Sequence, residues 1–248
     1  MIMSLYKAGT GMQVQSKKMD AVANNIANAG TAGYKADSVL TRSFSDIMFG
    51  EYNSSSGDIG RSIGGLSPGV YTDTVVTSFR DGSLKETGRI SDLALQGNGF
   101  FSISSPGGVF YTRSGCFNVD SNGQLITQEG YSVLGQNGAV FVNPENFTVN
   151  EDGYIYSDGV LSDRLKIVNF EDTSSLLKRG DGLFSSTEQP VDSENFKVKQ
   201  KCLETSNVDV NREYINMLEI YRNHESNQRV IKMLDESLGK AVNDIGKF

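Results

Sequence analysis

The 248-residue sequence predicts an α+β fold: a mainly-β middle, a sandwich or small barrel of short strands, between N- and C-terminal coiled-coil-like helices paired antiparallel. Three observations predict it. Apolar residues at both ends recur in alternating steps of three and four, the period of a helix with a narrow seam. The middle alternates short apolar runs with glycine-containing turn signals. Finally, 27 glycines accompany only 4 prolines, where average usage gives roughly 17 and 12. Tight turns explain that imbalance better than a disordered linker.

In residues 5–29 the stripe runs Leu5, Ala8, Met12, Gln15, Met19, Val22, Ile26 and Ala29. In residues 210–245 it runs Val210, Glu213, Met217, Ile220, His224, Asn227, Ile231, Leu234, Leu238, Ala241 and Ile245. Two positions per heptad make a narrower stripe than a helix on a globular core usually carries, although an ordinary pair of amphipathic helices is the competing reading. Neither helix can bury such a stripe alone, so each needs the other or another copy. If one compact body lies between them, the first helix runs toward it and the second away, which makes the pairing antiparallel. Residues 1–43 carry a net charge of +3 and residues 204–248 one of −2, a modest attraction that salt screens. The assembly seam is therefore assigned to Leu5, Ala8, Met12, Met19, Val22 and Ile26 with Met217, Ile220, Ile231, Leu234, Leu238 and Ile245. His224 and Asn227 form a polar pair on that seam, a device that sets register at some loss of stability.

After the first helix comes NNIANAGTAGYK, residues 24–35. Gly30 suits the left-handed conformation that ends a helix, and Gly33 opens the extended run that follows. Asn24, Asn25 and Asn28 have two readings: fraying and capping of the last turns, or hydrogen bonds to neighbouring chains. Residues 35–92 form an extended connector, with 196–206 as its return limb. Within it, residues 44–49 are apolar enough to dock, residues 52–69 are a flexible Ser/Gly-rich loop, and residues 70–79 are an extended run rich in Thr and Val.

Residues 93–195 read as the β-rich domain, and residues 1–34 with 207–248 as the helical one. Strand-like runs fall at 100–104, 109–112, 117–119, 125–127, 131–134, 139–142, 147–149, 154–156 and 165–170. Pro106-Gly107-Gly108, Asn122-Gly123, Glu129-Gly130, Asn137-Gly138, Asp152-Gly153 and Asp158-Gly159 separate them, as hairpin turns do. Gly97-Asn98-Gly99 is read as a turn, because a phosphate-binding loop needs a third glycine and a following helix.

A net charge of −7 with no basic run excludes nucleic acid and an anionic membrane as partners. No apolar stretch approaches a membrane span, and residues 1–10 show no secretory signal peptide. Cys116 and Cys202 make neither a metal nor a redox motif; they read as buried small apolar residues, with a disulfide between them left open. His224, the sole histidine, lacks a matching nucleophile and pocket, so no catalytic, cofactor-binding or metal residue is assigned. Two function classes compete: a structural subunit, or a β-domain enzyme or carbohydrate-binding module with helical oligomerisation arms. The absence of Trp weakens the second, and concentration dependence separates them, since a subunit passes from partly unfolded monomer to polymer.

MIMSLYKAGTGM followed by NNIANAGTAGYK resembles the N-terminal signature of the flagellar rod and hook family of axial proteins. LALQGNGFF at 93–101, YTRSGCFNVDSNGQLIT at 111–127 and LETSNVDV at 203–210 agree with it in order and spacing. The motif residues are Asn24, Asn25, Ile26, Asn28, Gly33, Tyr34, Gly97, Gly99, Phe100, Phe101, Ser206, Asn207 and Val208. RLKIVNF at 164–170 and LLKRGDGLF at 176–184 resemble the proximal rod type more than the distal. Cys116, where a small or polar residue is more usual, departs from the pattern, as does the stretch 52–69. The resemblance implies a structural subunit of the flagellar basal-body rod, assembling helically to carry torque from motor to hook. It implies as partners copies of the chain, other rod proteins, the hook protein and the type III export apparatus, and a location outside the cytoplasmic membrane without a cleaved signal. It also implies that residues 70–79 lie beside return strands within 196–204.

Overall fold

A computed structural model describes residues 2–44, 47–53, 58–66, 68–193 and 195–245. Two long helices, α1 (Ile2–Ala27) and α2 (Val210–Ile245), flank a middle of short strands. The chain divides into two compact units. One holds Met1–Ile26, Asp37–Val76 and Val210–Phe248; the other holds Ala27–Ala36 and Thr77–Asp209. The residues read as a connector are thus shared between the units.

In the first unit α1 and α2 lie side by side and antiparallel. Gly11 packs against the Asn227 side chain, with its Cβ position 3.0 Å from Nδ2, while Gln15, Lys18 and Val22 face Glu213, Asn216, Ile220 and Asn223 across a cavity of about 260 Å³. Along α2 the seam positions Glu213, Met217, Ile220, His224, Asn227, Ile231, Leu234, Leu238 and Ala241 are buried or half-buried, and most of the surrounding surface is exposed. On α1 the covered residues include the stripe positions Ala8, Met12, Gln15, Met19, Val22 and Ile26, but also Met3, Thr10, Gly11, Lys18 and Ala21, with Val14 and Asn25 at 4% and 2% exposure. Leu5 departs from the stripe: it is exposed, one turn from the helix start. The side chain of Ile245 lies outside the described residues.

The remainder of this unit is extended chain. Asp37–Ser43 pairs with Val70–Thr77 as a two-stranded ribbon, and Gly69 lies against the Thr10 side chain of α1. Residues 52–69 do not form the flexible loop expected of them. Ile47–Asn53 and Asp58–Leu66 pair antiparallel with two register shifts; residues 54–57 and 67 lie outside the described residues. The register shifts fall on either side of Gly50, where a bulge absorbs the irregularity. Nor does the run 70–77 join the return strands. Phe196–Gln200 pairs with Leu93–Gly97, and Cys202–Glu204 with Leu84–Glu86.

The second unit contains open sheets rather than a closed barrel. The largest follows the order Leu176–Gly180, Leu183–Ser186, Gly108–Thr112, Phe100–Ser105, Ser132–Gly135, Leu125–Ile126 and Asn118–Val119, with Ile167–Asn169 also paired to Phe100–Ser105. A three-stranded sheet of Phe147–Val149, Tyr154–Ser157 and Val160–Arg164 stands apart from it in hydrogen bonding. Side chains alternate between faces along a strand, and the consecutive apolar pairs here exploit that. Phe101, Ile167 and Leu183 enter one core with Leu93, Leu125, Phe147, Ile155 and Val198. Phe100, Val168 and Phe184 enter a second with Tyr111, Phe170 and Leu176. Phe100 meets Phe79, Phe170 and Phe184 edge-on, at centroid separations of 5.5 to 5.9 Å, a geometry the ring quadrupole favours.

Candidate functional site

The chemically distinctive place in the molecule is a buried charge cluster in the second unit. Glu204 ends the strand Cys202–Glu204, and its partner strand leaves Gly82 just upstream. The carboxylate accepts from Lys35 Nζ at 2.7 Å and Gly82 N–H at 2.8 Å on Oε1, and from Arg113 Nε at 2.8 Å on Oε2. Lys35 also donates to the Arg80 carbonyl at 2.7 Å. Arg113 spends its remaining donors on Asp81 Oδ1 at 2.8 Å, on the Gly97 carbonyl at 2.5 Å and on the Gly99 carbonyl. Lys35 and Glu204 are 1% exposed, whereas Asp81 is about half exposed. Two cations therefore balance two carboxylates, which is what makes burial of the set tolerable.

Desolvation lowers the pKa of Lys35 below its ordinary value, opposed by the Glu204 hydrogen bond and charge and reinforced by the Arg113 charge. The backbone around it is equally committed. Gly33 donates its N–H to the Glu204 carbonyl at 2.8 Å with φ +69, and a Cβ there would stand 2.5 Å from Ser114 N and 2.6 Å from the Arg113 carbonyl carbon. Only glycine fits that approach. Lys178 donates to the Lys35 carbonyl at 3.0 Å and lies 3.9 Å from the centre of the Tyr34 ring, a cation–π contact.

Two asparagines hold the chain on either side of this cluster in sequence. In the first unit, Asn25 donates Nδ2–H to the Asp37 carbonyl at 2.8 Å and accepts the Asp37 N–H on Oδ1 at 2.9 Å. In the second, Asn207 accepts the Ala36 N–H at 2.8 Å and donates to the carbonyls of Ser78 and Arg80 at 2.7 and 3.0 Å. Neither expected reading of the amides fits Asn25. It is neither frayed nor turned toward a neighbouring chain, because its amide is used in its own unit. Asn28 carbonyl and side chain both receive Thr31, a turn that closes the helix. Asn24 is exposed.

The motif residues thus meet. Gly33, Tyr34, Gly97, Gly99, Phe100 and Asn207 surround or hold the cluster, Phe101 fills the core beneath the sheet, and Ser206 Oγ accepts the Val208 N–H at 3.3 Å just before α2. What sequence reasoning missed is the charged centre: Lys35, Arg113, Glu204 and Lys178. Lys35 is the single charge of its quoted motif, while Arg113 shares its motif with Asp120 and Glu204 shares its own with Asp209; the sparseness of charge in these motifs was the available signal. The cysteines are free and half-buried rather than buried, and Cys116 Sγ accepts from Gln128 Nε2 at 3.0 Å. Among the described residues no group of three or more His, Cys, Asp or Glu side chains could hold a metal, and no described helix is long and apolar enough to cross a membrane.

Comparison with known proteins accounts for the convergence. Residues 5–35 match the family model "Flagella basal body rod protein", residues 94–157 the "Flagellar hook protein FlgE/F/G D1 domain", and residues 199–244 the "Flagellar basal body rod FlgEFG protein C-terminal". The flagellar hook-basal body complex protein FlhO of Bacillus subtilis is 34% identical over 100% of both chains. The chain belongs to the flagellar basal-body rod family. Flagellar basal-body rod protein FlgG of the same organism is 33% identical, covering 98% of this chain and 99% of its own. FlgF of Caulobacter vibrioides is also 33% identical, with coverage of 99% and 98%. Membership makes this rod-family chain a structural subunit of the flagellar basal body, assembled with rod and hook components. The charge cluster then reads as a clasp: Lys35 lies in the first matched segment, Arg113 in the second and Glu204 in the third.

Proposed function

We propose that the chain is a helically assembling, non-catalytic rod subunit that carries torque along the flagellar axis, of the proximal rod type, with copies of itself, other rod proteins and the hook protein as neighbours. The observation that carries this reading is the clasp. Its cations are fully engaged by fixed carboxylates and carbonyls, an arrangement suited to resisting shear rather than to exchanging protons with a substrate. Torque through a subunit loads the places where the chain leaves and re-enters a unit, and Lys35 and Glu204 lie next to such places in sequence. The seam residues of α1 and α2 are proposed to hold the helix pair together within the subunit.

Export is proposed to run through the flagellar type III apparatus without a cleaved signal. A clasp joining residues 169 positions apart closes only after both partners have emerged, so a chain in transit stays unfolded. The test locates the tagged chain in purified basal bodies and asks which rod segment holds it. A proximal position is expected. A chain found only in the hook, or only in the cytoplasm of flagellated cells, would overturn the reading.

A further inference from the structure

The chain passes between the two units at 26/27, 36/37, 76/77 and 209/210, and three of these passages are tied together at their ends in the second unit. Ser78 donates its N–H to the Ala36 carbonyl at 2.8 Å. The Asn207 amide closes the other two sides: Oδ1 accepts the Ala36 N–H at 2.8 Å, while Nδ2 donates to the Ser78 carbonyl at 2.7 Å and the Arg80 carbonyl at 3.0 Å. Ala36, Ser78 and Asn207 therefore form a triangle in which every pair is hydrogen-bonded. Each corner stands close in sequence to an element of the first unit: Ala36 before Asp37–Ser43, Ser78 after Val70–Thr77, and Asn207 shortly before α2. The side chain at the third corner has to be a carboxamide, since no other group offers an acceptor and two donors, and a glutamine would carry them one methylene too far.

Resting on the rod-subunit reading, we propose that Asn207 positions these three chain ends for torque, handing twist that arrives along α2 to the ends at Ala36 and Ser78 together. Backbone alone joins Ala36 to Ser78, so the Asn207 side chain is what brings in the third end. Bonds closed into one set stiffen each other. Without the amide, its three bonds to Ala36, Ser78 and Arg80 are gone, and twist falls on the φ and ψ of the residues leading into α2, the soft dihedrals of the chain. The backbone bond that remains, from the Asn207 N–H to the Tyr34 carbonyl, is long at 3.4 Å and correspondingly weak. The clasp around Glu204 stabilises the unit, whereas Asn207 governs how load enters it.

The test uses full-length chains in flagellated cells and a matched control. The Gln200 amide makes as many backbone hydrogen bonds, accepting the Val149 N–H at 3.1 Å and donating to the Ile90 and Phe147 carbonyls at 2.9 and 3.1 Å, but it ties parts of the β-rich body rather than passages. Asn207→Ala and Gln200→Ala are each compared with wild type in cells turning against a viscous medium and in cells whose motors generate no torque. Asn207→Ala should enter the axis at the wild-type level, keep its flagella without torque and shed them under load, while Gln200→Ala keeps them in both. In the purified chain, amide exchange at Ala36 should quicken about tenfold or more in Asn207→Ala, with Phe101 and Val133 unchanged. Flagella kept under load, flagella lost equally without torque, the same torque-dependent loss in Gln200→Ala, or unaltered exchange at Ala36 would each overturn the proposal while leaving the rod reading standing. Where the control fails to assemble, the torque-free cells decide. Should Asn207→Ala fail to enter the axis, Asn207→Ser, which keeps one hydrogen-bonding group, is read in its place, and failure of both overturns the proposal. Absence of the tagged wild-type chain from the axis would instead overturn the rod reading, and the role of Asn207 with it.

Discussion

Lys35 and Glu204, 169 positions apart, meet at 2.7 Å with each side chain 1% exposed. Arg113 shares the same carboxylate, so Glu204 is the anion on which two buried cations depend. Removing it leaves Lys35 without its anion and Arg113 with only the half-exposed Asp81, a loss that for a broken buried pair is typically about 3–5 kcal/mol. Removing Lys35 leaves the Glu204–Arg113 pair intact. Glu204→Gln should therefore lower the unfolding free energy far more than Lys35→Met, and urea denaturation followed by tryptophan-free tyrosine fluorescence or circular dichroism measures both. Equal losses would show that the cluster is not organised around Glu204.

The same pair gives a pH signature. Burial holds the Lys35 pKa below its ordinary 10.5, so between the folded and unfolded values the unfolded chain binds more protons and stability rises with pH. Below that window the contribution is flat. Lys35→Met abolishes the rise. The wild-type minus variant difference in unfolding free energy should consequently grow in favour of the wild type as pH climbs toward 10.5. Tyr111, whose pKa burial raises, loses stability above pH 10 in both proteins and cancels in the difference. A difference that shrinks over this range would mean that Glu204 more than offsets desolvation.

Asn25 supplies a third prediction. Its amide makes two hydrogen bonds to Asp37 while 2% exposed. Asn25→Ala leaves an N–H and a carbonyl without their partner, at about 1–3 kcal/mol for a buried group. Asn25→Asp keeps the acceptor and loses the donor, so it should fall between. Amide exchange at Asp37 reads the effect directly, and unaltered protection in Asn25→Ala would show the contact to be incidental.

How far these features could be read in advance depends on the range of the interaction. Most of the α2 stripe was legible because periodicity is local: Met217, Ile220, Ile231, Leu234 and Leu238 all lie on its covered side, whereas Val210 at its start is exposed. Leu5 follows the same period yet is exposed, since a period assigns a face of the helix and not how closely its neighbour approaches that face. Strands such as Phe100–Ser105 and Phe147–Val149 came from apolar runs between turns. The paired strands Ile47–Asn53 and Asp58–Leu66 did not, because glycine and serine lower β propensity in composition without preventing a pairing that neighbours impose. The clasp was least legible. A lysine, an arginine and a glutamate in separate motifs look like ordinary surface charges until the fold removes their water.

The seam itself gives the last prediction. Leu234 is half-buried on the α1-facing stripe of α2, seven residues beyond Asn227, where Gly11 brings the helices close. Leu234→Asp places a carboxylate on that stripe with no cation of its own unit assigned to meet it, an expected loss of several kcal/mol if the site stays dry. The core of the second unit, from Leu93 to Val198, is built from other residues and should keep its structure. Amide exchange should therefore quicken along α1 and α2 while residues such as Phe101, Ile103 and Val133 stay protected. The helical signal at 222 nm should fall before the β core melts, since long helices with a thin stripe are marginal without a partner. Leu234→Met, which conserves volume, should restore both readings. Loss of protection in the β core with Leu234→Asp would show that the two units fold as one, and unchanged protection along α2 would show that Leu234 contributes nothing to the pairing.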